Sequence, residues 1–200
     1  MSRRRRGRQA LVWAAVVALG VLLGIGSAWL VLSGAVRVSE ERVGAWSTDL
    51  DRGGADAGPY QRAVTAVQVL LALAKEEAVY FVATDDDAGD RLRGDCSYRV
   101  DGGDLPATWW SLTLYDGAYL PDNDDEHLSV DQTSVDLAPD GSWSAYLGPS
   151  PDGQADWIST DGADQPNLVL RLYVPEGSVL TDPTTVPVPR ITRLACGDNR

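Results

Sequence analysis

Residues 10–32 form an unbroken apolar run of 23 positions in which Ser27 is the one polar side chain. As a helix rising about 1.5 Å per residue, the run is roughly 35 Å long, and a bilayer core is about 30 Å thick. Trp13 and Trp29 lie near its two ends, where indoles favour the membrane–water boundary. Arg3, Arg4, Arg5, Arg6 and Arg8 precede it. Positive residues stay inside, so the N-terminus is expected in the cytoplasm and everything after the run outside it. The expected layout is a cytoplasmic basic tail (1–9), a transmembrane signal anchor (10–33), a linker (34–58) and an extracytoplasmic domain (59–200). The first expected partner is thus the lipid bilayer of the cell (inner) membrane, crossed once. A cleaved signal peptide is the rival, but its apolar region is usually shorter and ends in a small-x-small site, which Gly34-Ala35-Val36 serves poorly. Gly20 and Gly24 have the spacing of a helix-packing motif, although glycine is common in such helices anyway.

Charge is divided as sharply as hydropathy. No acid precedes Glu40, and beyond Gly34 there are 12 basic against 29 acidic residues, a balance of −17. Phosphate backbones need clustered Lys and Arg, so nucleic acid is excluded as a partner. One His excludes a multi-His metal site, and two Cys exclude zinc fingers and iron–sulfur clusters, so neither metal nor cofactor is expected.

Past the linker the pattern changes twice. Pro59 suits the first turn of a helix and Asp56 its cap. Val64, Val67, Leu70, Leu71 and Ala74 recur at helical spacing, predicting a core-packing helix over 60–75. Strands follow at 78–83, 96–100, 109–115, 128–130, 142–147 and 168–174, separated by Gly, Pro and Asp turns. Asp140-Gly141 signals a hairpin, and Pro187-Val188-Pro189 an extended edge. This predicts a mainly β domain, an antiparallel sandwich or barrel with one amphipathic helix before it. Cys96 and Cys196 allow a single intramolecular pairing, expected to be oxidised outside the cytoplasm, with two buried thiols as the alternative.

No catalytic constellation emerges. A Ser-His-Asp triad would need His127, which lies in the acidic stretch 121–127, and there is no Gly-x-Ser-x-Gly elbow. Asp122, Asp124 and Glu126 alternate like calcium ligands, yet His127 and Thr133 stand where an EF-hand requires Gly and an acid; irregular calcium binding by this loop or by the acidic turn 85–90 is the remaining alternative to charge for solubility. Paired glycosidase carboxylates cannot be singled out among so many acids. Of the five tryptophans beyond the apolar run, most are expected in the core.

Strand alternation does suggest a ligand site. Trp110, Leu112 and Leu114 share one face with Leu168, Leu170, Leu172 and Val174 of the later strand, and this aliphatic face is expected to be core. The opposite face collects Trp109, Ser111, Thr113, Tyr115, Val169, Arg171 and Tyr173. A guanidinium fixed mid-strand is costly unless an anion meets it. The candidate cleft is therefore Trp109, Ser111, Tyr115, Arg171 and Tyr173, with Arg171 holding an anionic or polar group and the rings stacking on the ligand. The rival reading pairs Arg171 internally, for instance with one of the many acids, and has the aromatics close one end of the sandwich as scaffold.

Several runs resemble the bacterial family called domain of unknown function 1214. The most specific is Leu105-Pro106-Ala107-Thr108-Trp109-Trp110-Ser111-Leu112-Thr113-Leu114-Tyr115-Asp116. Others are Pro59-Tyr60-Gln61-Arg62-Ala63, Glu77-Ala78-Val79-Tyr80-Phe81, Cys96-Ser97-Tyr98-Arg99, Asp140-Gly141-Ser142-Trp143, Asp156-Trp157 and Leu170-Arg171-Leu172-Tyr173. The resemblance runs from about Val43 to Cys196. It implies a jelly-roll-like β-sandwich, a short membrane-anchored member, and a partner from the sister family of unknown function 1254. It brings no catalytic residues. Leu128-Ser129 and Asp156-Trp157 depart from the Tyr-Ser and Asn-Trp usual at those places. The expected function is a non-enzymatic envelope binding or interaction module, with an envelope hydrolase acting on a glycan or ester as the alternative.

Overall fold

The computed structural model describes residues 2–32, 40–51, 53–54, 57–67 and 73–197. The apolar run lies in α1 (Ser2–Leu32), whose segment Leu11–Val31 is long and apolar enough to cross a membrane. Its large apolar side chains, such as Leu11, Val17, Leu22 and Ile25, are exposed. Water would penalise that surface and lipid would not.

The first strands come earlier than expected. β1 (Glu41–Val43) and β2 (Trp46–Thr48) pair with each other within the stretch read as linker, and β2 pairs on to β3 (Ala78–Ala83). Gly44, with φ +59°, makes the turn between them. The helix between β2 and β3, α2 (Pro59–Val67), is shorter than the predicted 60–75. The Gly58 amide donates to Gln61 Oε1 at 3.0 Å, a side chain reaching back to an orphan donor at the helix start. The proposed cap Asp56, the side chains of Val64 and Val67, and Leu70 and Leu71 lie outside the described residues; Ala74 lies beyond α2. Among the described elements α2 lies against α1, where Tyr60 Oη and Ser27 Oγ are 2.9 Å apart.

The remaining strands are β4 (Cys96–Gly102), β5 (Ala107–Asp116), β6 (Ser129–Asp131), β7 (Trp143–Gly148), β8 (Trp157–Ser159), β9 (Pro166–Pro175) and β10 (Arg190–Cys196). They form a six-stranded sheet, β1-β2-β3-β9-β5-β6, and a four-stranded sheet, β10-β4-β7-β8. Both sheets face one core. Phe81, Leu112, Leu114, Leu168, Leu170 and Leu172 from the first meet Tyr98, Val100, Leu147, Ile158 and Ile191 from the second. The fold is thus mainly β, as predicted. One pair departs from an antiparallel plan, since β7 and β8 run parallel.

Tryptophans join the layers. Trp110 of β5 stacks on Trp143 of β7 with ring centroids 4.4 Å apart. Trp143 lies flat over Gly102, where a Cβ would come within 2.2 Å of the ring, so only glycine fits. Trp46 of β2 donates from Nε1 to the Pro189 carbonyl at 2.7 Å. That contact corrects the reading of 187–189, which is irregular chain leading into the true edge strand, β10. Asp140-Gly141 does form a turn, with Gly141 at φ +81°. It is not a hairpin, because β6 and β7 belong to different sheets. Cys96 and Cys196 sit opposite each other at the end of the β4–β10 ladder and form the disulfide.

Candidate functional site

The two long strands β5 and β9 pair along nearly their whole length at the centre of the larger sheet. Alternation sorts them as predicted. Trp110, Leu112, Leu114, Leu168, Leu170 and Leu172 are all buried in the core between the sheets. Val174 is the exception: it has φ +46° and is 60% exposed, so the alternation ends one residue early. A β-branched residue rarely adopts that conformation, and here the backbone turns to present the buried Pro175 instead.

The predicted site residues therefore stand together on the opposite face of the sheet. Trp109 pairs with Tyr173 and Ser111 with Arg171, while Tyr115 lies four residues beyond Ser111 along β5. The Trp109 and Tyr173 ring centroids are 5.1 Å apart and tilted by 49°. Arg171 donates to Thr113 Oγ1 at 3.0 Å and to Tyr115 Oη. Its guanidinium carbon lies 5.4 Å from the Tyr115 ring centre and 6.0 Å from that of Tyr80. Val169, Ala78 and Tyr80 are buried and form the floor, and Val82, Tyr115 and Tyr173 pack around them.

Sequence reasoning leaves two members out of the cleft: Thr113, which it places on this face without a role, and Tyr80. The position of Tyr80 in β3 is legible from the alternation of Ala78, Tyr80 and Val82. That β3 is the neighbour of β9, setting Tyr80 directly beside Arg171, is a fact of topology.

Arg171 makes no ion pair with a carboxylate among the described residues; its internal partners are the Thr113 and Tyr115 oxygens. The acid in its row across β5 is Asp131. Two strand spacings put their backbones about 10 Å apart. Asp131 Oδ1 is already used by the Thr133 and Ser134 amides and the Thr133 hydroxyl. The site is a half-buried cation held by neutral hydroxyls and ring faces, a setting suited to a fork-shaped hydrogen bond with an incoming anion.

The other candidates resolve into scaffold contacts. In the 85–90 turn, buried Asp86 pairs with Arg193 at 3.0 Å and accepts from the Ala88 and Asp90 amides. Arg190 and Arg193 of β10 also meet Asp87 and Asp90. In the 121–127 stretch, Asp125 accepts from the buried Ser159 hydroxyl and Asn123 donates to the Asp161 carbonyl. The His127 ring packs 5.3 Å from Trp157, and its carbonyl accepts from the Ser159 amide. Trp46, Trp110, Trp143 and Trp157 are buried, which leaves Trp109 as the half-exposed indole of the β domain.

Residues 77–177, from the residue before β3 to the start of the helix that follows β9, match the family described as protein of unknown function DUF1214. The chain belongs to that family. The match is narrower than the resemblance read from the sequence, and it contains every residue of the Arg171 face. Among solved structures, this DUF1214 member is similar to the VPA0106 protein from Vibrio parahaemolyticus. Identity is 20% and the TM-score 0.57, over 70% of this chain and 36% of that one. A putative uncharacterized protein from Burkholderia cenocepacia shares 21% identity over 62% of this chain and 31% of its own, with a TM-score of 0.41. The chain thus spans about a third of the length of these structures, and the likeness to the Vibrio protein concerns the fold alone. No curated protein matches it.

Proposed function

We propose that the protein is a single-pass membrane protein whose β domain lies outside the cytoplasm. There it acts as a non-enzymatic binding module for a polar or anionic ligand. The anchor is the apolar span Leu11–Val31 of α1, with the five arginines at the start of that helix holding the N-terminus inside. The Cys96–Cys196 disulfide suits an oxidising compartment.

The observation that carries the binding reading is Arg171. A guanidinium fixed on the centre of a sheet face, in contact with neutral hydroxyls and rings, keeps its charge available to a ligand. Trp109, Ser111, Tyr115 and Tyr173 surround it, and Tyr80 joins them. The test is a screen of envelope glycans, lipids and peptides against the full chain in detergent, read by thermal midpoint. Arg171→Ala and Trp109→Ala are expected to remain folded and to lose the stabilisation that a bound ligand gives the wild type. Two unfolded variants, or a wild type that nothing stabilises, would make the face scaffold. Topology is tested separately by fusing alkaline phosphatase or a cytoplasm-only reporter after Arg200; activity of the cytoplasmic reporter alone would overturn the orientation.

A further inference from the structure

We infer that the Arg171 face takes the headgroup of a zwitterionic phospholipid, a phosphate with an ammonium two carbons away, from the leaflet around the outer end of α1. This deepens the binding reading above and rests on it. Three independent features of the molecule converge on that chemistry.

The first is place. Tyr60 of α2 meets Ser27 of α1 at 2.9 Å. Ser27 lies four residues before the end of the apolar span at Val31, roughly 6 Å along the helix axis. Tyr60 and the nearby Trp29 are the residue types that favour the headgroup level. From Val67, where α2 ends, six residue steps lead to Leu73, at most about 20 Å of chain. The Leu73 amide donates to Tyr80 Oη at 3.2 Å, and Tyr80 stands beside Arg171 in the sheet. A short tether therefore keeps the aromatic face near the depth at which α2 touches α1.

The second is the set of donors. Arg171 offers a planar fork that matches phosphate oxygens. Thr113 and Tyr115 each accept a hydrogen from that guanidinium, so their own O–H groups are left to donate. Two hydroxyl donors flanking a cation form a binding set for one phosphate.

The third is charge. The chain beyond Gly34 carries −17, which repels a net-anionic lipid surface. A headgroup with its own ammonium escapes that penalty. Trp109 and Tyr173 offer ring faces for it, two residues along the strands from Ser111 and Arg171, or roughly 7 Å.

The experiment uses the full chain in nonionic detergent, titrated with a short-chain phosphoethanolamine lipid, its phosphoglycerol counterpart and inorganic phosphate. The phosphoethanolamine lipid is expected to bind most tightly. Arg171→Gln should weaken it roughly ten- to a hundredfold, the cost of a charge-assisted hydrogen bond. Trp109→Ala should weaken the phosphoethanolamine lipid more than the phosphoglycerol lipid, because it removes the ammonium's seat; an equal loss for both would overturn that placement of the ammonium. Tyr115→Phe keeps the ring and removes one hydroxyl, so a loss of affinity in that variant supports the proposal even where Arg171→Gln fails to fold. Equal affinity for all three probes would show a free-phosphate site and overturn the lipid assignment while sparing the Arg171 reading. Binding of a glycan or peptide in an Arg171-dependent way, with none of the phosphates bound, would do the same. Lipid binding that ignores both Arg171→Gln and Tyr115→Phe overturns the lipid assignment, and if nothing else binds through Arg171 the binding-module reading falls with it.

Discussion

The two faces of the β5–β9 ladder are built from the same twenty residues and do opposite things. The inner face is aliphatic, closed over by the second sheet, and includes Leu112, Leu114, Leu168, Leu170 and Leu172, each fully buried. The outer face alternates with it residue by residue, yet holds a guanidinium, three kinds of hydroxyl and three aromatic rings. Hydrophobic transfer explains the first face without further assumptions, at about 25 cal/mol per Å² of apolar area removed from water. It does not explain why Arg171 sits at the centre of the second. A sheet needs only one dry face to be stable, so the other is free to carry chemistry.

Variants can separate these roles. The largest effect should come from neither face. The disulfide closes a loop of 100 residues between β4 and β10, worth about 4–5 kcal/mol if it acts through chain entropy. Reduction or Cys196→Ser should lower the thermal midpoint of the β domain and leave the difference between inner- and outer-face variants intact. Two thiols freely alkylated in the denatured, non-reduced protein would contradict it.

Next comes the inner face itself. Leu170→Ala, in the central strand, should cost about 2–5 kcal/mol in denaturant melts. Its neighbour Arg171→Gln should cost no more than about 1.5 kcal/mol, because it gives up hydrogen bonds to neutral hydroxyls and opens no core cavity. Equal losses for the two would erase the distinction between the faces. A gain is expected at the point where the alternation breaks: Val174→Asn places a residue tolerant of the left-handed region at φ +46° and should stabilise by about 1 kcal/mol.

The smallest effect lies at the rim. Hydrogen bonds from the Ser142 hydroxyl and amide hold the Asp140 carboxyl below its ordinary range. The Arg93 hydrogen bond does the same for Asp95, with the charge of Arg93 adding to it. A depressed folded pKa gives stability that is complete above the ordinary carboxylate value and is lost as pH falls through the depressed one. The thermal midpoint should therefore drop on acidification below about pH 4, and Asp140→Asn should make that slope slightly shallower.

Much of this was legible in the chain. The membrane-length helix follows from length and hydropathy alone, because a bilayer imposes a fixed thickness on any segment that crosses it. Six of the strands follow from β-branched runs between turn residues, and the two faces of β5 and β9 follow from a period of two, which is a property of the backbone. Four strands did not show: the seven-residue β10, in whose place an extended edge was expected at 187–189, and three short ones. β1, β2 and β8 have three residues each, too few for a period to register, and they exist because a neighbouring strand offers hydrogen bonds. The partners of a strand are likewise absent from local sequence. Alternation put Arg171 on the outer face, but only the sheet order β3-β9-β5 put Tyr80 on one side of it and Ser111 on the other. Composition, with 29 acids in the chain, suggested that one of them would neutralise Arg171. Tertiary structure decided otherwise: Asp86, Asp87 and Asp90 are drawn to the arginines of β10, and Asp131 to its own turn. A salt bridge is a contact between particular atoms a few ångströms apart, and no count of charges along the chain can say which of them will meet.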